Sequence, residues 1–426
     1  MHPVHPGDDG QRNGRDDRIR LLVTDNQIID PPVGGGRLRI WELYRHLPAD
    51  FVTIYVGTHD HPGPVYRDRW LAPNFREIIM PLTMVHFKAH GLWRRLTRGD
   101  ATVDVTIPLL LGLCSPRYRR LIDTCLPGVD ALVYAHPWMF PFLPARLAIP
   151  RIYDSQNCEG VLKRTLLDRT IAGRYLARRV VETEGAAARA ADRVLVVTEQ
   201  DAAQFRELYG IAASRLVSVP NGVDCSRIRP PAREDKPGLK RRLDLPEATL
   251  AVFIGSQYGP NNDAADYLIR TLAPAVPDIT IGIVGGVGTA WRERHPGQPL
   301  PANVRLFGTV EIAKLDLILQ AADIGINPMT RGSGTNIKML DFMAAGLAIL
   351  TTAVGARGIS GTAWVLAEIE MFPAELRALA ADAGRRGRLG EEARRRAEEH
   401  HDWKGVSARL AQTLRDLVGR PDARAG

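Results

Sequence analysis

Short apolar runs alternate with longer amphipathic stretches along this chain, and the alternation predicts strands and helices in turn. Strands are expected at Ile19 to Val23, Phe51 to Val56, Glu77 to Met80, Ala131 to Ala135, Arg151 to Asp154 and Val194 to Thr198. A glycine turn at Gly34, Gly35 and Gly36, with Arg37, leads into a helix through Trp41 and Leu43, and a long helix is expected from about Val161 to Ala190. A second series begins at Ala251 to Gly255. It continues through strands Ile279 to Val284, Val304 to Phe307, Ile324 to Ile326 and Ala348 to Leu350, with a helix over Ile312 to Ala321. Helical segments near Ala374 to Ala381, Glu391 to His400 and Trp403 to Leu417 close the chain. Two βα series in succession predict an α/β fold of two doubly wound, Rossmann-like domains facing a central cleft.

The boundaries follow from composition. Residues 1–17 are polar and rich in Gly, Asp and Arg and are expected to form a flexible tail. The first domain is placed at 18–225 and the second at 246–402. A proline-rich linker at 226–245 joins them, and 403–426 is the closing segment. At 426 residues the chain is long enough for two cores. The charged fraction of 24% and hydrophobic fraction of 45% are those of a globular protein. Neither a membrane-spanning run nor a secretory signal is apparent, so a cytoplasmic location is expected. The four cysteines, Cys114, Cys125, Cys158 and Cys225, show no metal spacing and are read as reduced. A net charge of +8 suits nucleic acid, anionic lipid or a nucleotide diphosphate without choosing among them. No compact nucleic-acid module is visible, so that partner is not expected.

The segment 332–346, Gly-Ser-Gly-Thr-Asn-Ile-Lys-Met-Leu-Asp-Phe-Met-Ala-Ala-Gly, carries the most chemistry. Gly332 and Gly334, with Ser333 between them, allow a tight turn and close approach of a ligand. Thr335 or Asn336 then caps a helix whose free N–H groups favour an anion. Ile337, Leu340 and Ala344 are expected to face a core, while Lys338 and Asp341 share another face, putting a cation and a carboxylate on the ligand side. The bland alternative is a loop–helix–strand corner whose glycines only turn the chain. At the cleft edges the other candidates are Gly255 and Ser256, Arg331, and the glycine turn with Arg37. His136 follows a buried-looking strand, and either contacts a ligand or merely finishes the strand against a backbone carbonyl.

Taken in order, several marks resemble the retaining glycosyltransferases of the GT-B fold, family four type (glycosyl transferases group 1). They are the loop 34–36, Val219-Pro220-Asn221-Gly222-Val223-Asp224, Phe253-Ile254-Gly255-Ser256 with Pro260-Asn261-Asn262, Ala322-Asp323, the 332–346 motif, and Asp402-Trp403 before the last helix. The likeness spans nearly the whole chain. It implies a nucleotide-sugar donor as substrate, transfer with retained anomeric configuration to a glycan, lipid-linked or small-molecule acceptor, no cofactor and no metal. The last helix is implied to cross back onto the first domain. Asp341 stands where a glutamate of the family binds the ribose hydroxyls, and His136 where a histidine contacts the donor sugar. Gln156-Asn157 resembles a His-Asn pair of the cleft wall.

Two departures stand out. The family's other glutamate falls on Ser333, which carries no charge. The family's arginine and lysine for the diphosphate fall on Ser256 and Asn261, leaving Lys338 and Arg331 as replacements. A sugar-nucleotide epimerase and a non-catalytic glycan-binding protein remain alternatives, since fold does not fix reaction. The stretch Met84 to Arg98 mixes aromatics with cations, and Arg117, Arg119 and Arg120 extend it. It is read either as a contact with an anionic membrane surface, peripheral to its inner face, or as a solvated basic face with its apolar side in the core. Arg394 to Arg396 is read as an exposed helix face.

Overall fold

A computed structural model describes residues 17–419 apart from Val33, Asp60, Pro64, Ser115, Ser333 and Ser360. The expected tail, but for Asp17, lies outside the described residues, as do Ser333 and the last residues of the closing segment, 420–426.

The first sheet contains β1 (Ile19–Thr24), β2 (Phe51–Gly57), β3 (Arg67–Ala72), β4 (Phe75–Ile79), β5 (Ala131–Ala135), β6 (Arg151–Asp154), β7 (Arg193–Val196) and β8 (Leu216–Ser218). Its order is β3-β4-β2-β1-β5-β6-β7-β8. Every pairing is parallel except that of β3 with β4. The second sheet contains β9 (Leu250–Ile254), β10 (Thr280–Val284), β11 (Val304–Gly308), β12 (Ile324–Asn327), β13 (Ala348–Thr351) and β14 (Val365–Leu366), in the order β11-β10-β9-β12-β13-β14 and parallel throughout. Central strands such as β5 and β13 are buried along their whole length, because helices cover both faces of each sheet. The α/β class and the two doubly wound sheets are those expected.

The closing helix, Trp403–Val418, returns to the first sheet. Trp403, Val406, Leu410 and Leu414 share a core with Ile40, Leu43 and Tyr44 of the glycine-turn helix, Gly35–Arg45. Ser407 Oγ donates to the Leu43 carbonyl at 2.7 Å, and Arg415 pairs with Asp50 at 2.9 Å. The chain thus crosses between the sheets twice, at 219–224 and at 401–403, where Val223 bridges Asp402. Buried Arg39 ties the first crossing to the first sheet. It pairs with Asp154 at 3.0 Å and donates to Pro220 O and Asn221 Oδ1 at 3.2 Å.

Three local expectations are corrected, and one strand is added. The helix expected over 161–190 is two, Glu159–Leu166 and Ile171–Ala190, because Thr170 caps a new start by accepting from Gly173 N at 2.9 Å. The linker at 226–245 is a packed part of the second domain. Helix Lys236–Arg242 lies on it, with Lys240 Nζ 2.6 Å from Asp323, while Ile228 and Leu245 enter the core. Pro237 lies in the first turn of that helix, where proline is tolerated. Edge strand β3 was hidden by its charges, which pair across to β4 (Arg69 with Glu77, 3.3 Å). Of the arginine run, Arg395 is an exposed partner of Glu392 and Glu399, but Arg394 turns inward and donates to Cys225 O and other carbonyls. Cys158 and Cys225 are free and buried, and Cys125 is free and half-buried.

Candidate functional site

Ligands of doubly wound sheets gather where strand order reverses, beyond the carboxyl ends of the strands. In the first sheet that point lies between β1 and β5, followed by Asp25 and His136. In the second it lies between β9 and β12, followed by Gly255-Ser256 and the 331–336 loop. The motif helix, Ile337–Ala344, begins there and turns its first residues toward the other domain. A Cβ on Gly35 would lie 2.7 Å from Ile337 Cδ1, and one on Gly334 would lie 2.8 Å from Asn157 Oδ1. The starts of the motif helix and of the glycine-turn helix therefore meet across the domains. Among the described residues no side chain caps either, so their first N–H groups remain available for an anion.

The capping expected of Thr335 or Asn336 takes another form. Asn336 occupies the cap position, but its side chain donates to Val354 O at 3.0 Å, and Thr335 Oγ1 is buried without a partner among the described residues. Arg357 donates to Gly332 O at 2.9 Å, and Asn327 to Gly355 O at 2.9 Å, so the loop after β13 holds the glycine turn from behind. Gly332 and Gly334 have φ of 134° and 70°, conformations that disfavour a side chain. Ile337 is half-exposed against the first domain rather than in the core. Met339, Leu340, Phe342, Met343 and Ala344 form the buried face, since the helix lies flat on its own sheet.

Lys338 lies along this helix with Nζ 2.8 Å from Asn261 Oδ1 and 4.3 Å from the centre of the Phe253 ring. Burial pulls its pKa down to about 7, with no carboxylate to oppose it. Asp341, one turn on, is half-buried, and among the described residues no donor bonds its carboxylate. Burial raises it to about 7, against a smaller lowering by Arg227. Arg331 sits at the rim and pairs with Asp263. Asn261 also donates to Ser256 O at 3.1 Å, so one amide fixes both Lys338 and the Gly255-Ser256 turn. Gly285 packs against that turn with φ 101°, and a Cβ there would lie 2.3 Å from Gly255 O. Gly285→Ala is expected to cost about 1–3 kcal/mol and to lower the melting temperature. A thermal melt checks this, and an unchanged midpoint would contradict the contact.

A cavity of about 550 Å³ opens between the domains. Asn157, Leu162 and Gln204 wall one side, and Tyr258, Arg331 and Gly334 the other. Lys338, Asp341, His136 and Gly34 to Arg37 are outside its lining. Asn157 precedes helix Glu159–Leu166, whose first amides, Glu159 N and Gly160 N, donate to buried Glu184 at 2.9 and 2.6 Å. Tyr153 and Tyr209 hydroxyls donate to the same carboxylate at 2.8 and 2.6 Å. That helix start is closed from within, unlike those of the glycine-turn helix and the motif helix. Gln156 stands beside Gly36, 2.7 Å from where its Cβ would be.

His136 is buried in a left-handed conformation, φ 72°, with Nδ1 2.9 Å from Asp25 Oδ1. Its partner is thus a carboxylate rather than the backbone carbonyl considered above. Burial works against the charged ring, but Asp25 outweighs it and holds the pKa up at about 9. The imidazolium is therefore a fixed donor at neutral pH and not a proton acceptor. Asp25, Gln27, Tyr258, Arg357 and Glu184 were not singled out from the sequence. Only Asp25, directly after a strand, carried a signal that could have found it. Among the described residues no three His, Cys, Asp or Glu side chains gather as a metal site.

Comparison with known proteins agrees with this fold. Residues 33–227 match the model of Glycosyltransferase Family 4, and residues 248–382 that of Glycosyl transferases group 1. D-inositol 3-phosphate glycosyltransferase 2 of Catenulispora acidiphila is 26% identical over 374 residues, covering 81% of this chain and 82% of that protein. Among solved structures, sucrose-phosphate synthase from Thermosynechococcus elongatus superposes with a TM-score of 0.71 at 16% identity, covering 94% of this chain and all (100%) of that one. Anabaena Alr3699/HepE in complex with UDP gives 0.66 at 13% identity, with 94% and 100% covered. The fold and the paired matches define a GT-B glycosyltransferase. The chain belongs to the glycosyl transferases group 1, which sets aside the epimerase and the glycan-binding alternatives.

Proposed function

We propose that the chain binds a nucleoside diphosphate sugar mainly through its second domain and transfers the glycosyl group with retention to an acceptor held by the first. The observation that carries this reading is the meeting of two uncapped helix starts, at Gly35 and Ile337, beside Lys338. Their N–H groups and the ammonium suit the diphosphate, on which negative charge grows as the bond to the anomeric carbon breaks. Asp341, without a protein donor, suits the ribose hydroxyls. A front-face course needs no protein nucleophile. The acceptor oxygen bonds to the anomeric carbon, the phosphate oxygen leaves, and the acceptor proton passes to that oxygen. His136, held charged by Asp25, donates to the sugar or phosphate and takes no proton. The solved relative holding UDP supports a uridine donor as the first to try. A thermal-shift panel of sugar nucleotides, followed by NMR of the product anomer, tests the reading. No stabilisation by any nucleotide, or inversion at the anomeric carbon, would contradict it.

The acceptor side includes a surface suited to an anionic membrane. Helix Met84–Leu96 turns Trp93 inward to stack on Tyr175 at 5.8 Å, and leaves Met84, Val85, Leu92 and Leu96 exposed beside Lys88 and Arg95. Ile171, 81% exposed, continues the apolar patch. The face thus presents apolar and cationic groups together, where a purely solvated face would present cations alone. Among the described residues no helix is long and apolar enough to cross a membrane. Lys88→Ala with Arg95→Ala is expected to weaken co-sedimentation with phosphatidylglycerol vesicles about thirtyfold, from about 1 kcal/mol per charge. Equal binding to phosphatidylcholine vesicles would count against the surface.

A further inference from the structure

We infer that the second domain holds a further ligand site, at the end of its sheet opposite the cleft, and that this site takes a small molecule bearing two or more phosphates. The inference goes beyond the transferase reading and does not depend on it.

A cavity of about 720 Å³ opens beyond the amino ends of β9, β12 and β13. Thr249, Asp323 and Gly346, which line it, stand just before those three strands. The cleft lies beyond the carboxyl ends of the same strands. Strands of this length put roughly 13–17 Å of packed sheet between the two, so an occupant of the cavity is a second molecule. Helix Lys236–Arg242 and helix Ala383–Arg396 contribute the walls.

The charges of the lining decide what fits. Lys236 and Lys240 share one carboxylate, Asp323, at 3.6 and 2.6 Å. Burial lowers the pKa of Lys236; Asp323 opposes this, while Lys240 and Arg386 reinforce it. Backbone carbonyls hold two guanidinium groups, Arg386 through Leu379 O at 2.6 Å and Arg233 through Ala383 O at 2.8 Å. Among the described residues no carboxylate pairs with either, and nothing pairs with exposed Arg388. Glu247 is taken by Arg241 at 2.7 Å, and Arg394 is matched by Glu398 at 2.7 Å. The cations left, Arg233, Lys236, Lys240, Arg386 and Arg388, outnumber the carboxylates left, Asp323 and Glu391, by three. A single phosphate leaves part of that excess unmatched, whereas a diphosphate or triphosphate meets it.

The wall also leaves room for close approach. In helix Ala383–Arg396, Gly390 is explained by packing, since a Cβ there would lie 2.1 Å from Gly346 O. Gly384 and Gly387 meet no such backbone. A Cβ on Gly384 would find Asp382 at 3.3 Å and Arg388 at 3.5 Å, and one on Gly387 would find Arg233 at 3.3 Å. Glycine weakens a helix, so two of them beside guanidinium groups suit a ligand whose oxygens lie against the helix. Because these groups line a cavity and not a flat face, a small molecule fits them better than a nucleic acid does.

The test is calorimetry of the full chain with tripolyphosphate, ATP and inorganic phosphate. Tripolyphosphate or ATP is expected to bind at least about tenfold more tightly than inorganic phosphate. Tripolyphosphate binding as well as ATP, or better, assigns the phosphate chain alone as the ligand, and preference for ATP assigns a nucleotide. Arg388→Ala should weaken binding about tenfold to a hundredfold, the worth of a charge-assisted hydrogen bond, and Arg388→Lys should restore part. Glu391→Gln should tighten it, a gain that a damaged fold does not give. The cleft also attracts phosphates, so Lys338→Ala is titrated alongside and is expected to keep this binding. Four results overturn the inference: no binding of tripolyphosphate or ATP, inorganic phosphate binding equally well, binding lost in Lys338→Ala, or binding unchanged in Arg388→Ala.

Discussion

Lys338→Ala is expected to lower kcat/KM for glycosyl transfer about a hundredfold to a thousandfold and to weaken nucleoside diphosphate binding. The ammonium is the one cation placed along the motif helix itself, packed on Phe253 and steadied by Asn261. In a half-buried setting a preorganised donor aimed at developing charge is worth that much, because no solvent must reorganise around it. Arg331 lines the inter-domain cavity but is exposed and committed to Asp263, so Arg331→Ala should cost far less. Steady-state kinetics with both variants separates the two. Equal losses would mean that rim charge, and not the buried lysine, holds the diphosphate.

The pH profile of kcat/KM is expected to be bell-shaped with its maximum near 7, and Asp341→Asn to abolish its acid limb. The signs follow from the two buried groups. Burial lowers Lys338 to about 7, so its charge is lost as pH rises above that value. Burial raises Asp341 to about 7, so its carboxylate is lost as pH falls below it. Each unit away from the optimum then costs about tenfold on either side. Lys338→Ala should remove the alkaline limb. Asp341→Asn keeps the shape but not the accepting charge, and should weaken nucleoside recognition at neutral and high pH while flattening the acid side. A profile that is flat between pH 5 and 9 in the unmodified protein would show that neither group titrates in the working site.

Much of this architecture was legible because parallel strands covered on both faces leave short apolar runs, as at Ala131–Ala135 and Ala348–Thr351. What escaped was governed by long-range partners. The edge strand Arg67–Ala72 was not expected, because its charges make sense only once Glu77 is placed beside it. The prolines of 226–245 suggest a linker until Lys240 meets Asp323. At the site, Gly332, Gly334, Lys338 and Asp341 stand close together in sequence, so one motif brought them into view. The groups that position them do not: Asn261 and Arg357 act across long sequence separations, and their role depends on which carbonyl or side chain the fold delivers. The face assigned to Ile337 was wrong for the same reason. Helical spacing marks an apolar side, but not whether that side meets its own sheet or the other domain.

The central claim is that a nucleoside diphosphate binds where the glycine-turn helix and the motif helix begin. Amide hydrogen exchange with and without the bound nucleotide tests it most directly, since the N–H groups at stake are the ones that would be protected. Slowed exchange at 34–38 and 332–338 together is the predicted result. Protection confined to other segments, or to one domain with the opposite helix start unaffected, would contradict it.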